Sequence, residues 1–431
     1  MYRKIMGFLE AWKENEHRKP LILQGARQVG KTYSILEFGR THYENVAYFN
    51  FETNPKLNET FEENISPDYL IPILSHIAGQ TIVKEKTLIV FDEIQLCERA
   101  LTSLKYFCED APDYHIIVAG SLLGVAVNRA KFSFPVGKVD MKTLYPMDME
   151  EFMIAMGESD LAEQIKKCFE TNQPMPAALH DAAMQLYRQY LVVGGMPECV
   201  MQFVQTRDYI LIRHTQDTIL ASYLNDMSKY NNLNEIKKTR LAYDNITVQL
   251  FKKNTRFQYK LIKKGGRASE FENAIEWLCL SGIVSQVYRV EQIKKPLENY
   301  RDIDAFKIYV SDLGLLCAKK DLVANDILYM VEELNDFKGG MTENYVNVQL
   351  TINGYNTYYW ESERGAEIDF VIQREGQLIP IEVKSADNTR AKSLKVYMDT
   401  YKPAYAIKLS AKNFAFEDNK KVVPLYAAFC I

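Results

Sequence analysis

The segment Gly25-Ala-Arg-Gln-Val-Gly30-Lys31-Thr32 follows the apolar run Leu21-Ile22-Leu23 with only Gln24 between them. A Gly-x-x-x-x-Gly-Lys-Thr stretch between a strand and a helix constrains the chain to a phosphate-binding loop. The two glycines let the backbone turn tightly enough for successive N–H groups to point inward at phosphate oxygens. Gly25, Ala26, Arg27, Gln28, Val29, Gly30, Lys31 and Thr32 are therefore the expected cradle. Lys31 is placed to reach the β- and γ-phosphates of a nucleotide, and Thr32 to put its hydroxyl on Mg²⁺. The helix beginning there adds the partial positive charge of its N-terminus.

The run Thr87-Leu-Ile-Val-Phe-Asp92-Glu93 reads as a buried strand ending in two carboxylates. Asp92 is expected in the Mg²⁺ shell and Glu93 beside the attacking water. The alternative, a strand that happens to end in an exposed Asp-Glu pair, has the phosphate loop against it. Strand-like runs at Leu21–Leu23, Val46–Phe51, Thr87–Phe91, His115–Ala119 and Lys138–Leu144 alternate with helical stretches, which predicts a doubly wound α/β fold. The phosphate loop, Asp92–Glu93 and Gly120–Ser121 all fall at carboxyl ends of strands, where such folds bind ligands. Ser121 reads either as a polar sensor of the γ-phosphate or as a plain strand-end turn.

At 431 residues, 47% hydrophobic and 25% charged, the chain is globular and long enough for several domains. A net charge of −4 excludes a general polycation, so any nucleic-acid contact must come from a local patch. The seven cysteines form no Cys-x-x-Cys pair and no zinc-type spacing, and read as reduced core thiols. The longest nonpolar stretch, around Ile116 to Val127, is too short for a bilayer, and the N-terminus lacks the apolar core of a secretion signal. A cytoplasmic location without a membrane span is the expectation.

Charge concentrates between 237 and 267, where Lys237, Lys238, Arg240, Lys252, Lys253, Arg256, Lys260, Lys263, Lys264 and Arg267 are opposed only by Asp244. Short helices (Asn245–Phe251, Glu270–Ser281) and strand-like stretches (Ile283–Val290, Phe306–Val310) surround this run, in an order compatible with a winged helix. Phe251, Phe257 and Tyr259 are interleaved with the cations. DNA or RNA is one expected partner of the 237–267 region; a solvated face or a docking surface for an acidic protein are the alternatives. Between about 150 and 233 the chain reads as helix, broken by Gly194-Gly195-Met196-Pro197, which makes either a helical lid over the nucleotide or a simple joint.

From about 325 a second α/β unit is expected, with strands at Tyr355–Trp360, Ile368–Ile372 and Leu378–Val383. Period-2 alternation puts Glu382 and Lys384 on one face of a strand, with Asp369 on another. Two such acids can bind a divalent metal, and Lys384 can orient a water or stabilise charge on a phosphate being cleaved. Glu343 offers a further carboxylate. An ordinary salt-bridged sheet edge is the competing reading.

Taken together, GARQVGKT, LIVFDEIQ, IIVAGSLLG, YPMDMEEF, YLVVGGMPE, YYWESERGAEIDFVI and IPIEVKS resemble the prokaryotic AAA-type ATPases whose C-terminal domain has no assigned function, over almost the whole chain. The resemblance implies an α/β P-loop ATPase domain over 1–155, a helical lid or linker over 156–233, a winged-helix-like basic region over 234–322, and a PD-(D/E)xK restriction-endonuclease-like domain over 323–431. It implies ATP with Mg²⁺, bound by Lys31 and Thr32, and Asp92 and Glu93 as the Walker B pair. It also implies a nuclease-like constellation in which Glu343, Asp369 and Glu382 are metal ligands and Asp369, Glu382 and Lys384 are catalytic. The function it implies is an ATPase coupled to a nuclease-like or nucleic-acid-binding domain, or else a nucleotide-switched protein-interaction module with a degenerate C-terminal fold; an oligomer is admitted. One departure stands out: many relatives carry Gly-Arg before the last ATPase strand, whereas this chain has Gly137-Lys138, leaving Arg129 as a substitute arginine finger. A lysine cannot make the planar bidentate contact of a guanidinium.

Overall fold

The computed structural model describes residues 1–121, 134–230, 233–252, 256–385 and 392–431. The chain divides into two compact units. One comprises Tyr2–Tyr145 with Leu280–Gly282, the other Met1, Pro146–Cys279 and Ile283–Ile431.

The first unit is built on five strands, β1 (Leu21–Gly25), β2 (Asn45–Asn50), β3 (Thr87–Asp92), β4 (His115–Ser121) and β5 (Asp140–Thr143). They form a wholly parallel sheet in the order β2-β3-β4-β1-β5. Unbroken apolar runs make this arrangement: Leu21, Ile22 and Leu23 and the whole of Leu88–Phe91 have no exposed surface, as a sheet covered on both faces requires. Helices Lys31–His42, Lys56–Glu63, Pro67–Ala78 and Glu98–Asp110 make the crossovers. Phe51, Phe61 and Phe91 meet edge to face at 5.6–5.9 Å; each ring removed from water contributes about 1.5–3 kcal/mol. The register pairs Gly25 with Ser121 and Asn50 with Asp92, so the strands end flush where the sequence places its polar motifs.

The second unit begins with helices from Met149 to Phe251. The helix Ala177–Val193 stops at Gly194, whose φ of 75° suits glycine, and Pro197 opens the next helix at its first turn. Its sheet has eight strands: β6 (Val284–Val290), β7 (Arg301–Val310), β8 (Tyr358–Glu361), β9 (Glu367–Arg374), β10 (Gln377–Val383), β11 (Ala406–Ser410), β12 (Ala415–Glu417) and β13 (Lys420–Pro424). Their order is β12-β13-β11-β10-β9-β8-β6-β7. The antiparallel hairpin β6–β7 follows the basic region, yet the free edge of β6 pairs in parallel with β8, Tyr288 opposite Tyr358. The hairpin is thus part of the C-terminal sheet. Among the described residues no helix is long and apolar enough to cross a membrane.

Candidate functional site

The phosphate loop leaves β1 at Gly25, where a Cβ would lie 2.2 Å from the Leu144 carbonyl oxygen, so only glycine fits. Gln28 (φ 65°) and Gly30 (φ 92°) take left-handed conformations that turn the chain into the helix Lys31–His42. Ala26 and Val29 are buried and Arg27 is half-buried. The Lys31 ammonium donates to the carbonyls of Gly25 (3.0 Å) and Ala26 (2.8 Å), folded across its own loop. Burial pulls its pKa down to about 8, against the opposing pull of Glu93 and Asp92.

The flush strand ends bring Asp92 to the loop. The Thr32 hydroxyl donates to Asp92 Oδ2 at 2.9 Å, and the Tyr48 hydroxyl from β2 donates to the same oxygen at 2.7 Å. Asn50 Nδ2 in turn donates to Tyr48 at 3.2 Å. Glu93 sits in the left-handed region (φ 54°, ψ 41°), its N–H donating to Asp92 Oδ1 at 2.9 Å. A non-glycine residue held there stores strain of order 1–3 kcal/mol, which such geometry retains mostly at working sites. The Gln95 amide donates to Glu93 Oε2. Ser121 stands beside Gly25 in register. Thr32 and Asp92 therefore fit a Mg²⁺ ion: a hydroxyl and a carboxylate, both oxygen donors, already meet beside the loop.

The residues near the expected arginine position differ. Lys138 pairs with Glu109 at 2.9 Å. Arg129 lies outside the described residues.

A second polar cluster lines the C-terminal sheet. Glu343, from the helix Asn335–Ile352, accepts from the Tyr309 hydroxyl at 3.1 Å and from Lys307 Nζ at 3.4 Å. Lys307 Nζ is also 2.5 Å from Glu367 Oε1. Asp369 Oδ2 accepts the Val383 N–H at 2.7 Å, and Glu382 pairs with Lys384 at 2.5 Å. Burial raises Asp369 well above the usual carboxylate range, with Glu343 adding to the effect and Lys307 opposing it; burial raises Glu382 too, against Lys384. Burial would lower Lys307, but Glu343, Tyr309, Glu367 and Asp369 outweigh it and hold it well above its ordinary value. The four expected residues thus lie on neighbouring elements. Among the described residues, however, no three His, Cys, Asp or Glu side chains are arranged to hold a metal ion. The donor set does not fit one as it stands, because the carboxylates are engaged by lysines, a tyrosine and a backbone amide.

The basic run exposes Lys252, Arg256, Lys260, Lys263, Lys264 and Arg267. Its aromatics point the other way: Phe251 and Phe257 are buried, and Phe257 stacks on Phe306 at 5.7 Å. Those two are core residues, Tyr259 is half-buried, and the exposed face carries the cations together with Leu261.

Residues 17–153 match the family described as AAA domain. The N-terminal unit is an AAA-type P-loop domain. Residues 184–326 and 338–428 match two domains of unknown function, DUF8612 and DUF4143. None of the curated proteins compared with the chain matches it. Among solved structures, the Aeropyrum pernix ORC2 protein in its ADPNP–ADP complexes is similar at 11% identity, covering 76% of this chain and 95% of that one with a TM-score of 0.41. The Aeropyrum pernix ORC1 protein in complex with DNA is 11% identical over 74% and 91%, with a TM-score of 0.30. The Thermotoga maritima RuvB Holliday junction branch migration motor is 15% identical over 65% and 87%, also at 0.30.

Three residues of these clusters escape a reading by motif. Tyr48 alternates with apolar neighbours on β2 and shows nothing in sequence of its contact with Asp92. Arg3 is buried, and its guanidinium donates to the carbonyls of Val29 (2.9 Å) and Tyr145 (2.8 Å), bracing the AAA domain's phosphate loop. Lys307 had a signal: one cation in the apolar run Ala305-Phe-Lys-Ile-Tyr-Val310, two residues before Tyr309 on the same strand face.

Proposed function

We propose that the chain is a Mg²⁺-dependent ATPase whose nucleotide cycle governs the second unit. The observation that carries this reading is the meeting of the Thr32 hydroxyl with Asp92 Oδ2 at 2.9 Å, at the end of the Gly25–Thr32 loop and next to Glu93. Mg²⁺ held by Thr32 and Asp92 would neutralise charge on the β- and γ-phosphates. Lys31 would exchange its two loop carbonyls for phosphate oxygens, and Glu93, released from Gln95, would orient water for in-line attack on the γ-phosphorus. With Lys138 in place of arginine, turnover is expected to be slow. The test is ATP turnover and nucleotide binding in wild type, Lys31→Ala and Glu93→Gln. Lys31→Ala should lose binding; Glu93→Gln should bind and turn over poorly. Normal turnover in Glu93→Gln would sink the assignment.

For the C-terminal sheet, the observation that Glu343, Glu367, Asp369 and Glu382 all have protein donors favours the non-cleaving reading: a degenerate PD-(D/E)xK-like fold that binds a partner under nucleotide control. The exposed cations of 252–267 suit a phosphate backbone or an acidic protein. Salt-sensitive binding of DNA or RNA without cleavage supports this reading. Nicking that requires Mg²⁺ or Mn²⁺ and disappears in Asp369→Ala would replace it with the nuclease.

A further inference from the structure

We propose that Lys307 is a built-in counter-ion that occupies the acidic face of the C-terminal sheet in place of a divalent cation, closing that face to metal. This rests on the non-cleaving reading of the sheet and is independent of the ATPase assignment.

The argument is one of placement. Lys307 and Tyr309 are two apart on β7, Glu367 and Asp369 two apart on β9, and alternation gives each pair one face. Glu343 from the helix Asn335–Ile352 meets both β7 residues, so the lysine lies among carboxylates from two separate elements. Lys307 is only 9% exposed, and its ammonium is 5.2 Å from the Tyr359 ring centre. A buried ammonium keeps its charge where acids surround it, and neighbouring acids keep theirs most readily around a cation. Each therefore accounts for the other without metal.

The face still has an open valence. Glu382 is 3% exposed and its Oε2 is buried with no hydrogen-bond partner, while Oε1 is held by Lys384. Removal of the Lys307 charge would leave Glu343 and Glu367 without their cation, on the sheet face that also carries Glu382. Such a set of hard oxygen donors suits Mn²⁺ or Mg²⁺.

The experiment is Mn²⁺ titration of the nucleotide-free 431-residue chain, followed by the electron paramagnetic resonance signal of free Mn²⁺. Wild type should leave the signal unchanged up to about 1 mM, the weak end of protein sites for hard cations. Lys307→Met, which keeps the aliphatic stem, should gain a site at least about tenfold tighter, corresponding to ~1.4 kcal/mol. Adding Glu382→Gln should remove it. Lys307→Gln, which retains an N–H donor for Glu343, gives the same comparison if the methionine variant does not fold. Wild-type binding that Glu382→Gln abolishes would overturn the proposal, as would a folded Lys307 variant of either kind that binds no Mn²⁺. Nicking of DNA or RNA by the wild type in Mn²⁺, measured in parallel, separates failure of the non-cleaving reading from these outcomes.

Discussion

The carboxylate of Asp312 accepts the N–H of Gly195 at 2.7 Å, joining the turn at Gly194–Pro197 to the start of the helix Leu313–Lys319. The Leu315 N–H reaches its other oxygen at 2.8 Å. A Cβ on Gly194 would lie 2.4 Å from that carboxylate, and one on Gly195 2.0 Å from the Met147 carbonyl oxygen. The double glycine is there because an acid and a backbone carbonyl occupy the space side chains would need.

Burial lifts the Asp312 carboxyl from the usual 3.8 to about 6, against the backbone N–H groups that favour its charged form. The folded state then holds a proton that the unfolded chain has released, so this group's contribution to stability is full below pH 4 and declines as pH rises to 6. Relative to Asp312→Asn, which cannot ionise, wild type should lose stability over that interval. Urea midpoints of both proteins at pH 4.5 and 7 check it; a constant difference counts against it. Asp312→Ala, which strands the Gly195 and Leu315 donors, should lower stability by about 1–3 kcal/mol per abandoned group at any pH.

Lys31, lowered to about 8, loses its proton in the free protein just above neutral pH. Because the ammonium is the form that pairs with phosphate, nucleotide affinity should fall above pH 8, by up to about tenfold per unit. Equilibrium binding of a fluorescent ATP analogue at pH 7 and 9 tests this. Lys31→Arg, which stays charged, should flatten the profile; the same steep fall in that variant would assign the titration elsewhere.

Tyr48 steadies the Asp92 oxygen that Thr32 also touches. Tyr48→Phe should raise the Mg²⁺ concentration needed for half-maximal ATP turnover by about 10- to 100-fold, the usual cost of removing a hydrogen bond from a metal-ligating carboxylate, while leaving Mg²⁺-free nucleotide binding unchanged. An unaltered Mg²⁺ requirement would make Tyr48 a packing residue only.

Arg3 braces the phosphate loop through the Val29 carbonyl. Arg3→Ala should weaken nucleotide binding and lower the melting temperature together, with about 1–3 kcal/mol lost where buried carbonyls are left unpaired. Arg3→Lys should recover only part, since one ammonium lacks the fork that spans Val29 and Tyr145. Calorimetric melting with and without ATP separates the two effects.

The candidate nucleotide site was legible because its chemistry is local. Eight consecutive residues specify the loop, and Asp92–Glu93 advertise themselves at the end of an apolar strand. Gly25 is required by a carbonyl at Leu144, more than a hundred residues away, yet the motif already contained it. The cluster at Asp369, Glu382 and Lys384 was legible in membership and not in state: the sequence offered carboxylates for a metal, and only the fold brought Lys307 to Glu343 and Glu367. Similarly, the short helices and strand-like stretches of 234–322 read as a winged-helix-like region, whereas β6 finds β8 some seventy residues on. Alternation fixes which face a side chain takes, but pairing between distant strands is decided by burial of both partners, which no local window contains. By itself the sequence determined the parallel sheet and the phosphate loop, since both follow from short apolar runs and glycine placement. Tertiary structure decided which charges meet, because a buried cation and its acids are stable only together and these come from separate segments of the chain.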